Sequence, residues 1–327
     1  MIRGARIDTR LQQTWLTIHD QVYWAVKNER YDTLGRLIEN GVDVDLTDEE
    51  EAKYGSGSFF ERFKNTRAYM DVDPESSFTP LAWAASFGLD NMVKYLLDHG
   101  ANIEHPCKNL CGCATGLLMC PGYMPSCPFF IDNEYFDFNS WTPLHYAICE
   151  GHESTAKMLI ARGASVKHLA CERKGVTALH VATRWGQESI IDHLLNNKLV
   201  DINASDSDGD PALHIAYIAG NFPLVDKYLD LGADINLALN DDGGPRSIFS
   251  MACGQDRMDK ALEYLHKGAD PGFIIKGAHG EQWTAMRCIY AHRDTRKPYP
   301  SLRGWKSRVI LEQEIFKACG GKPPGGL

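Results

Sequence analysis

The apolar residues of this chain recur in a fixed frame. In four stretches a leucine is followed by alanine three residues later, by glycine seven residues later and by a large residue fifteen residues later. The leucines that open the four frames are Leu81, Leu144, Leu179 and Leu213. Apolar residues at this spacing share one face of a helix, and glycine allows the left-handed turn that ends one. Each frame therefore predicts two short helices joined by a tight turn.

The ends of these helices are also marked in the sequence. Thr79–Pro80 and Thr142–Pro143 open two of the frames, where threonine caps free backbone amides and proline needs no amide partner in the first turn. Glycines follow the second helix in three frames; they are Gly100, Gly163 and Gly232. The sequence thus predicts where both helices of a repeat begin and end.

Weaker copies of the frame flank the four clear ones. One centres on Val22 and Ala25, the other on Phe249 and Ala252, and both depart from the Thr-Pro-Leu-His start. With these copies the frame resembles the ankyrin repeat, a helix-turn-helix of about 33 residues followed by a hairpin loop. The resemblance implies an all-α solenoid of about six repeats covering about half of the chain, with degenerate copies at its ends.

Two long insertions, of about 32 and about 36 residues, interrupt the array where the resemblance places hairpin loops between repeats. In the ankyrin family these loops overhang a concave binding groove. The predicted organisation has an N-terminal cap with degenerate repeat 1 (1–45), insertion 1 (46–77), repeat 2 (78–104), a cysteine-rich insertion 2 (105–139), repeats 3 to 6 (140–271), and a helical C-terminal cap with a flexible tail (272–327).

Helices are expected outside the repeats as well. The C-terminal cap is predicted to contain helices at Trp283–His292 and Leu302–Ala318, separated by a proline-containing turn. In insertion 1 a helix over 58–70 would place Phe59, Phe60 and Phe63 on one face. That face either packs on the first repeat or serves as a partner-binding lid over the groove.

The charge of the chain removes the simplest evidence for nucleic-acid binding. It has 34 basic against 43 acidic residues and a formal charge of −9, whereas phosphate binding needs a concentrated basic surface. Residues 1–20 contain no apolar core of a signal peptide, and no stretch approaches the roughly 18 apolar residues of a membrane span. We therefore expect an intracellular protein of the cytoplasm or nucleus, with no nucleic-acid or membrane partner.

Half of the ten cysteines lie close together in insertion 2, next to His105. They are Cys107, Cys111, Cys113, Cys120 and Cys127. Four thiolates can hold a structural zinc ion, which would order a loop that has little core of its own. The spacing lacks the paired C-x-x-C pattern of zinc knuckles, so free or partly buried thiols and disulfides remain alternatives. No other cofactor is predicted.

The resemblance also assigns roles to the motif histidines and to groove positions. His145, His180 and His214 would bond the backbone at the turn between repeats. The groove would be lined by the residues before the first-helix glycine and by the hairpin tips, which here are Phe87, Trp141, Glu150, Glu172, Arg173, Arg184, Trp185, Asp206 and Asp208. Tryptophan and arginine are frequent interface anchors, so Trp185 and Arg184 are the first candidates. The position two after the leucine is expected to be core; it holds Trp24, Trp83, Tyr146, Val181 and Ile215.

Two classes of function fit these features. No phosphate loop, dinucleotide fingerprint, nucleophile elbow or zinc-protease motif is present, and no catalytic residue is named. The first hypothesis is a non-enzymatic scaffold that binds a protein or peptide in the groove, with the insertions setting specificity. The alternative is an enzyme whose insertions roof a pocket for a peptide or small-molecule substrate. Fold class alone does not decide between them, because one fold hosts unrelated functions.

Overall fold

The structure of the chain is a computed structural model. It describes residues 18–47, 78–107, 141–170, 176–206, 210–241, 244–255, 257–272, 275–276, 282–283 and 302–318. The chain divides into two compact units, Met1–Val200 (unit 1) and Asp201–Leu327 (unit 2). Nearly all of both predicted insertions, including the helix over 58–70, lies outside the described residues. The predicted segment boundaries stay a prediction.

Unit 1 contains four helix pairs in its described residues. The first helices are α1 (Ile18–Lys27), α3 (Pro80–Ser86), α5 (Pro143–Cys149) and α7 (Ala178–Arg184), and the second helices are α2 (Tyr31–Glu39), α4 (Asp90–Asp98), α6 (Glu153–Ala161) and α8 (Glu188–Asn196). Each first helix contacts the first helix of the next repeat, and α4, α6 and α8 contact one another in the same order. The pairs therefore stack as the repeat frame predicts.

Unit 2 continues the pattern and adds short strands. Its elements are α9 (Ala212–Ile218), α10 (Phe222–Asp230), β1 (Leu239–Asp241), β2 (Gly244–Arg246), α11 (Ile248–Gly254), α12 (Met258–His266), β3 (Ile275–Lys276), β4 (Gln282–Trp283) and α13 (Leu302–Ala318). The strands form two antiparallel hairpins, β1 with β2 and β3 with β4. The described part of the fold is thus helical. Its strands, which the repeat frame did not predict, lie in hairpin loops.

The C-terminal cap is partly as expected. The last helix, α13, has the predicted bounds Leu302–Ala318 and packs on α12 through buried residues that include Leu311 and Ile315. The prediction for Trp283 is wrong, because this residue pairs with Ile275 in a strand instead of beginning a helix. The rest of that predicted helix lies outside the described residues.

The frame residues form the core. The leucine and alanine of each clear frame are buried; they are Leu81, Ala84, Leu144, Ala147, Leu179, Ala182, Leu213 and Ala216. The large residue of the second helix is buried in all four frames as well, at Leu96, Leu159, Leu194 and Tyr228. Burial of these side chains between stacked pairs supplies the apolar contact that a single repeat lacks.

The prediction of core burial two residues after the leucine holds only in part. Tyr146, Val181 and Ile215 are buried, but Trp24 is 37% exposed. The buried apolar residues of α1 are Val22, Ala25 and Val26, which share one face at helical spacing. Trp24 lies off that face, so the helix turns its ring toward solvent. The assignment of Trp24 to the core is therefore wrong.

Left-handed residues end the helices where glycine was predicted. Nine glycines of the described residues have this conformation, all at the two turn positions of the frame, and Gly88 shows why glycine is needed there. Its φ is +67°, and a Cβ there would lie 2.5 Å from the His152 ring. Two turns use other residues, Glu29 with φ +49° and Lys198 with φ +53°. These positions carry strain that glycine would avoid.

Side-chain bonds tie successive hairpin loops together. In each bond an acidic or asparagine side chain of one loop accepts from a backbone N–H of the next loop. These bonds join Asn102 to Asp45, Ser165 to Glu104, Asp234 to Asn203 and Asp270 to Asn236. The equivalent position in repeat 3 is Lys167, and an ammonium group can donate hydrogen bonds but not accept them.

Candidate binding surface

The motif histidines hold the starts of the first helices. The Nδ1 atom of His145 accepts from the backbone N–H of Thr142 at 3.2 Å, and His180 makes the same bond to Thr177 at 3.1 Å. Complete burial lowers the pKa of His145 to about 3, partly opposed by a bond to the backbone of His168. A completely buried, neutral imidazole that is held through Nδ1 is a structural group, as the resemblance implies.

His214 has the same place in unit 2 but a different neighbour. Its helix begins after Pro211, which offers neither an N–H nor a hydroxyl group. Nε2 donates to the carbonyl oxygen of Arg246 at 3.0 Å, so Nδ1 is the unprotonated nitrogen, and it is buried without a partner among the described residues. Burial lowers the pKa of His214 to about 4.

Three of the predicted groove residues occupy one equivalent position in unit 1. Phe87, Glu150 and Trp185 are the C-cap residues of α3, α5 and α7. Each cap N–H bonds back to a carbonyl of its own helix, which fixes the direction in which the side chain leaves the backbone. Phe87 and Glu150 are exposed, and Trp185 is half-buried beside the half-buried Arg184. Stacking of the repeats therefore brings a phenylalanine, a carboxylate and a tryptophan into one row.

The turn that carries Glu150 is tied to the preceding repeat. His152 Nε2 donates to the carbonyl oxygen of Ser86 at 3.0 Å, which links the turn after α5 to the end of α3. The pKa of the Glu150 carboxyl is raised above its ordinary value because neighbouring atoms remove part of its water, and His152 opposes this effect. The Glu150 edge is still exposed, so an incoming hydrogen-bond donor can reach it.

Trp141 lies elsewhere than expected. It is only 5% exposed, pairs with Cys107 in an isolated antiparallel bridge, and its ring centroid is 5.2 Å from that of Tyr146. The bridge draws the start of repeat 3 against the end of repeat 2, and the indole covers Tyr146. This position offers a partner little surface.

Cys107 is part of the same buried junction. Its thiol lies 3.6 Å from the carbonyl oxygen of His105 and 3.9 Å from the hydroxyl of Thr79. Burial raises its pKa to about 11, with Thr79 opposing, so this sulfur is a neutral thiol in the core. The other four cysteines of the cluster lie outside the described residues. The described residues contain no group of three or more His, Cys, Asp or Glu side chains that could hold a metal ion. Zinc binding stays a prediction.

Of the remaining predicted groove residues, the structure describes Asp206 and leaves three undescribed. Asp206, in unit 2, closes its own hairpin, since its Oδ1 accepts from the N–H of Asp210 at 2.8 Å. Its backbone N–H donates to the carbonyl oxygen of Asp210 at 3.2 Å. Binding of a partner by the Asp206 carboxylate would therefore compete with its hydrogen bond to the N–H of Asp210. Glu172, Arg173 and Asp208 lie outside the described residues.

Next to the predicted groove residue Phe87, the structure shows four residues that the sequence frame did not assign to the groove. We call the five together the cation–aromatic patch, and it consists of Tyr23, Trp24, Lys27, Arg30 and Phe87. Lys27 Nζ lies 5.5 Å from the Tyr23 ring centroid and 5.9 Å from that of Phe87, and the Arg30 guanidinium lies 5.9 Å from the Trp24 ring. The signal in the sequence was Lys27, which stands at the groove position two residues before the turn residue Glu29.

No helix within the described ranges combines the length and the hydropathy that a bilayer span requires. This finding concerns those ranges alone.

Family models match the repeats directly. A model for three copies of ankyrin repeats matches residues 165–238, and a model for the single ankyrin repeat matches residues 77–108 and 139–171. Two solved structures share the fold over most of the chain. The human ASB11 ankyrin repeat domain covers 93% of this chain and 99% of its own, with TM-score 0.52 and 17% identity. The Bcl-3 ankyrin repeat domain covers 84% of this chain and 97% of its own, with TM-score 0.52 and 19% identity.

Curated relatives match through the repeats and differ in activity. The palmitoyltransferase AKR1 of Lachancea kluyveri is 30% identical over 57% of this chain and 27% of its own length. The E3 ubiquitin-protein ligase KEG of Arabidopsis thaliana is 30% identical over 40% of this chain and 8% of its own. The mouse protein Rabankyrin-5 is 37% identical over 38% of this chain and 11% of its own. The chain spans about a quarter or less of each relative. The repeat is what they share, and the family models identify ankyrin repeats within this chain.

Proposed function

We propose that the chain is a binding scaffold that recognises a protein or peptide partner at the ends of its first helices. The observation that carries this proposal is the row of Phe87, Glu150 and Trp185, one residue from each of three successive repeats of unit 1. The row follows the stacking direction, so an extended or helical segment of a partner would meet all three side chains.

The chemistry of the row suits a polypeptide. Phe87 and Trp185 present aromatic surface, Arg184 adds a guanidinium group beside Trp185, and Glu150 adds an acceptor. Aromatic side chains and arginine carry a large share of the binding energy in protein interfaces. The cap bonds fix the backbone at each position, so little conformational entropy is lost when a partner binds.

The relatives support a shared binding module more than a shared reaction. A palmitoyltransferase and a ubiquitin ligase perform different chemistry, yet both match this chain through repeats. Specificity set by the two insertions, and the alternative of an enzyme pocket beneath them, depend on residues outside the described ranges and stay predictions.

A display experiment tests the proposal. A library of random 16-residue peptides is selected against the full chain, and the affinities of enriched peptides are measured by fluorescence anisotropy. Phe87→Ala and Trp185→Ala should each weaken binding by about tenfold or more, as expected for interface anchors. Leu231→Ala is the control, because Leu231 is equally exposed but caps a second helix in unit 2.

The outcome that contradicts the proposal is equally clear. If no peptide is enriched, or if enriched peptides bind both variants as tightly as the parent chain, the row is not a recognition surface. Unchanged melting of Phe87→Ala and Trp185→Ala would show that any loss of binding is not a loss of fold.

A further inference from the structure

We infer that the cation–aromatic patch is the part of this surface that selects the partner, and that it takes an acidic peptide segment carrying an aromatic or apolar side chain. The inference rests on the proposed function and adds the chemistry of the partner. It is carried by the exposure, the ring geometry and the charge of the patch.

The aromatic part of the patch is exposed and already ordered. Trp24 and Phe87, each 37% exposed, are the large hydrophobic side chains exposed in the described part of unit 1. Phe87 stacks on Trp83 with a centroid distance of 5.8 Å and an interplanar angle of 19°, and Tyr23 meets the edge of Trp83 at 4.6 Å. Rings held in this way offer apolar area at low entropic cost.

The cations of the patch form no ion pair with a carboxylate of the described residues. Lys27 donates to the hydroxyl of Tyr23 at 3.3 Å and lies near two rings, and Arg30 lies over Trp24. Neither forms an ion pair within the described residues. Some described lysines do form one: Lys157 pairs with Glu153, and Lys260 with Asp226. An ammonium group has three donors, so Lys27 keeps donors for an incoming carboxylate.

Charge complementarity then points to an acidic segment. The whole chain carries −9, and Lys27 and Arg30 are two exposed cations that form no ion pair within the described part of this acidic chain. Carboxylates of the partner would pair with Lys27 and Arg30, while an aromatic or apolar side chain between them would rest on Trp24 and Phe87. A polyanion such as a nucleic acid fits less well, because two cations neutralise few phosphates and the rest of the chain repels it.

The test uses three labelled synthetic peptides and the full chain. The peptides share a central phenylalanine in a Gly/Ser background and differ only in four flanking residues, which are glutamate, glutamine or lysine. By fluorescence anisotropy at low salt, the glutamate peptide should bind about tenfold tighter than the glutamine peptide, and the lysine peptide should bind most weakly. The preference should shrink as salt is added.

Variants locate the effect on the chain. Lys27→Met and Trp24→Ala should each weaken binding of the glutamate peptide about fivefold or more, as for desolvated anchors. Lys94→Met is the matched control, since Lys94 is an exposed lysine on the second helix α4, and it should leave the affinity unchanged. Equal melting temperatures of the variants would exclude a loss of fold.

Several outcomes overturn the inference. One is equal binding of the glutamate and glutamine peptides; another is equal loss in Lys94→Met and Lys27→Met. Tighter binding of a labelled oligothymidine would assign the patch to nucleic acid. A dimer in light scattering that Trp24→Ala dissociates, with no peptide binding, would assign it to a second copy of the chain.

Failure of this inference is distinguishable from failure of the proposed function. If display-selected peptides still depend on Trp185 while the glutamate peptide shows no preference, the scaffold proposal stands and only the acidic partner is excluded. If neither kind of peptide binds, both fail.

Discussion

At the scale of single residues, the equivalent histidines of the repeats differ in the hydrogen bonds that they make. His145 and His180 accept from a threonine N–H, whereas His214 follows Pro211 and has a buried Nδ1 without a partner in the described residues. An unsatisfied buried polar group costs about 1–3 kcal/mol. The unpartnered Nδ1 of His214 is therefore a local weakness of the fold, and in His145 it is the other ring nitrogen, Nε2, that lacks a partner in the described residues.

Replacing Pro211 should repair this weakness. In Pro211→Thr the new N–H and hydroxyl group can both reach His214, whereas Pro211→Val supplies the N–H alone. We expect the threonine variant to exceed the valine variant in free energy of unfolding by about 1 kcal/mol. The ¹⁵N chemical shift of His214 Nδ1 reports the new bond. Equal stability with an unchanged shift would show that Nδ1 is already satisfied.

The buried histidines also set a dependence on pH. Their folded-state pKa values, about 3 for His145 and about 4 for His214, lie below the ordinary 6.5. Below pH 6.5 the unfolded chain takes up protons that the folded chain refuses, so the free energy of unfolding falls as the pH falls toward 4. At pH 5 the loss is about 2 kcal/mol for each histidine.

Urea unfolding between pH 7 and pH 5 measures this loss. His214→Gln removes one of the two groups, so the variant should lose less stability over the same range than the parent chain does. An identical pH slope in the variant would mean that His214 is protonated equally in the folded and unfolded states.

At the scale of elements, periodic features were predictable and solitary ones were not. Leucine and glycine spacing predicted the helix pairs, and the bounds of α13 at Leu302–Ala318 were predicted because an apolar pattern runs between a proline turn and glycines. Trp283 was assigned to a helix because a strand of two residues is too short to show a periodic pattern in the sequence. The exposure of Trp24 was missed because the frame assigned this residue by position alone, whereas the apolar side chains that α1 buries are Val22, Ala25 and Val26.

The bonds between hairpin loops are an element-scale feature that a substitution series can weigh. Asn203→Ala and Asn236→Ala each remove the acceptor of a backbone N–H in the following loop, at 2.9 and 2.7 Å. Each should lower the free energy of unfolding by about 1 kcal/mol. Lys167→Ala is the matched control at the equivalent position, where no such bond exists, and should change stability by less than about 0.5 kcal/mol. Equal costs in all three would show that the bonds contribute nothing.

At the scale of the whole molecule, one repeat frame serves stability and recognition at once. The same turn that needs glycine after each first helix places Phe87, Glu150 and Trp185 just before it, so stacking the core also aligns the row. That much of the candidate site was predictable from the frame. The cation–aromatic patch was not predictable, because it depends on which side of α1 is buried. The insertions contain no repeat pattern from which their chemistry could be predicted.

Hydrogen–deuterium exchange tests the central claim most directly. The full chain is compared with and without a display-selected peptide. The account predicts slowed exchange at the ends of α3, α5 and α7, around Phe87, Glu150 and Trp185, and little change along the second helices α4, α6 and α8. Protection confined to the second helices, with none at the first-helix ends, would contradict it.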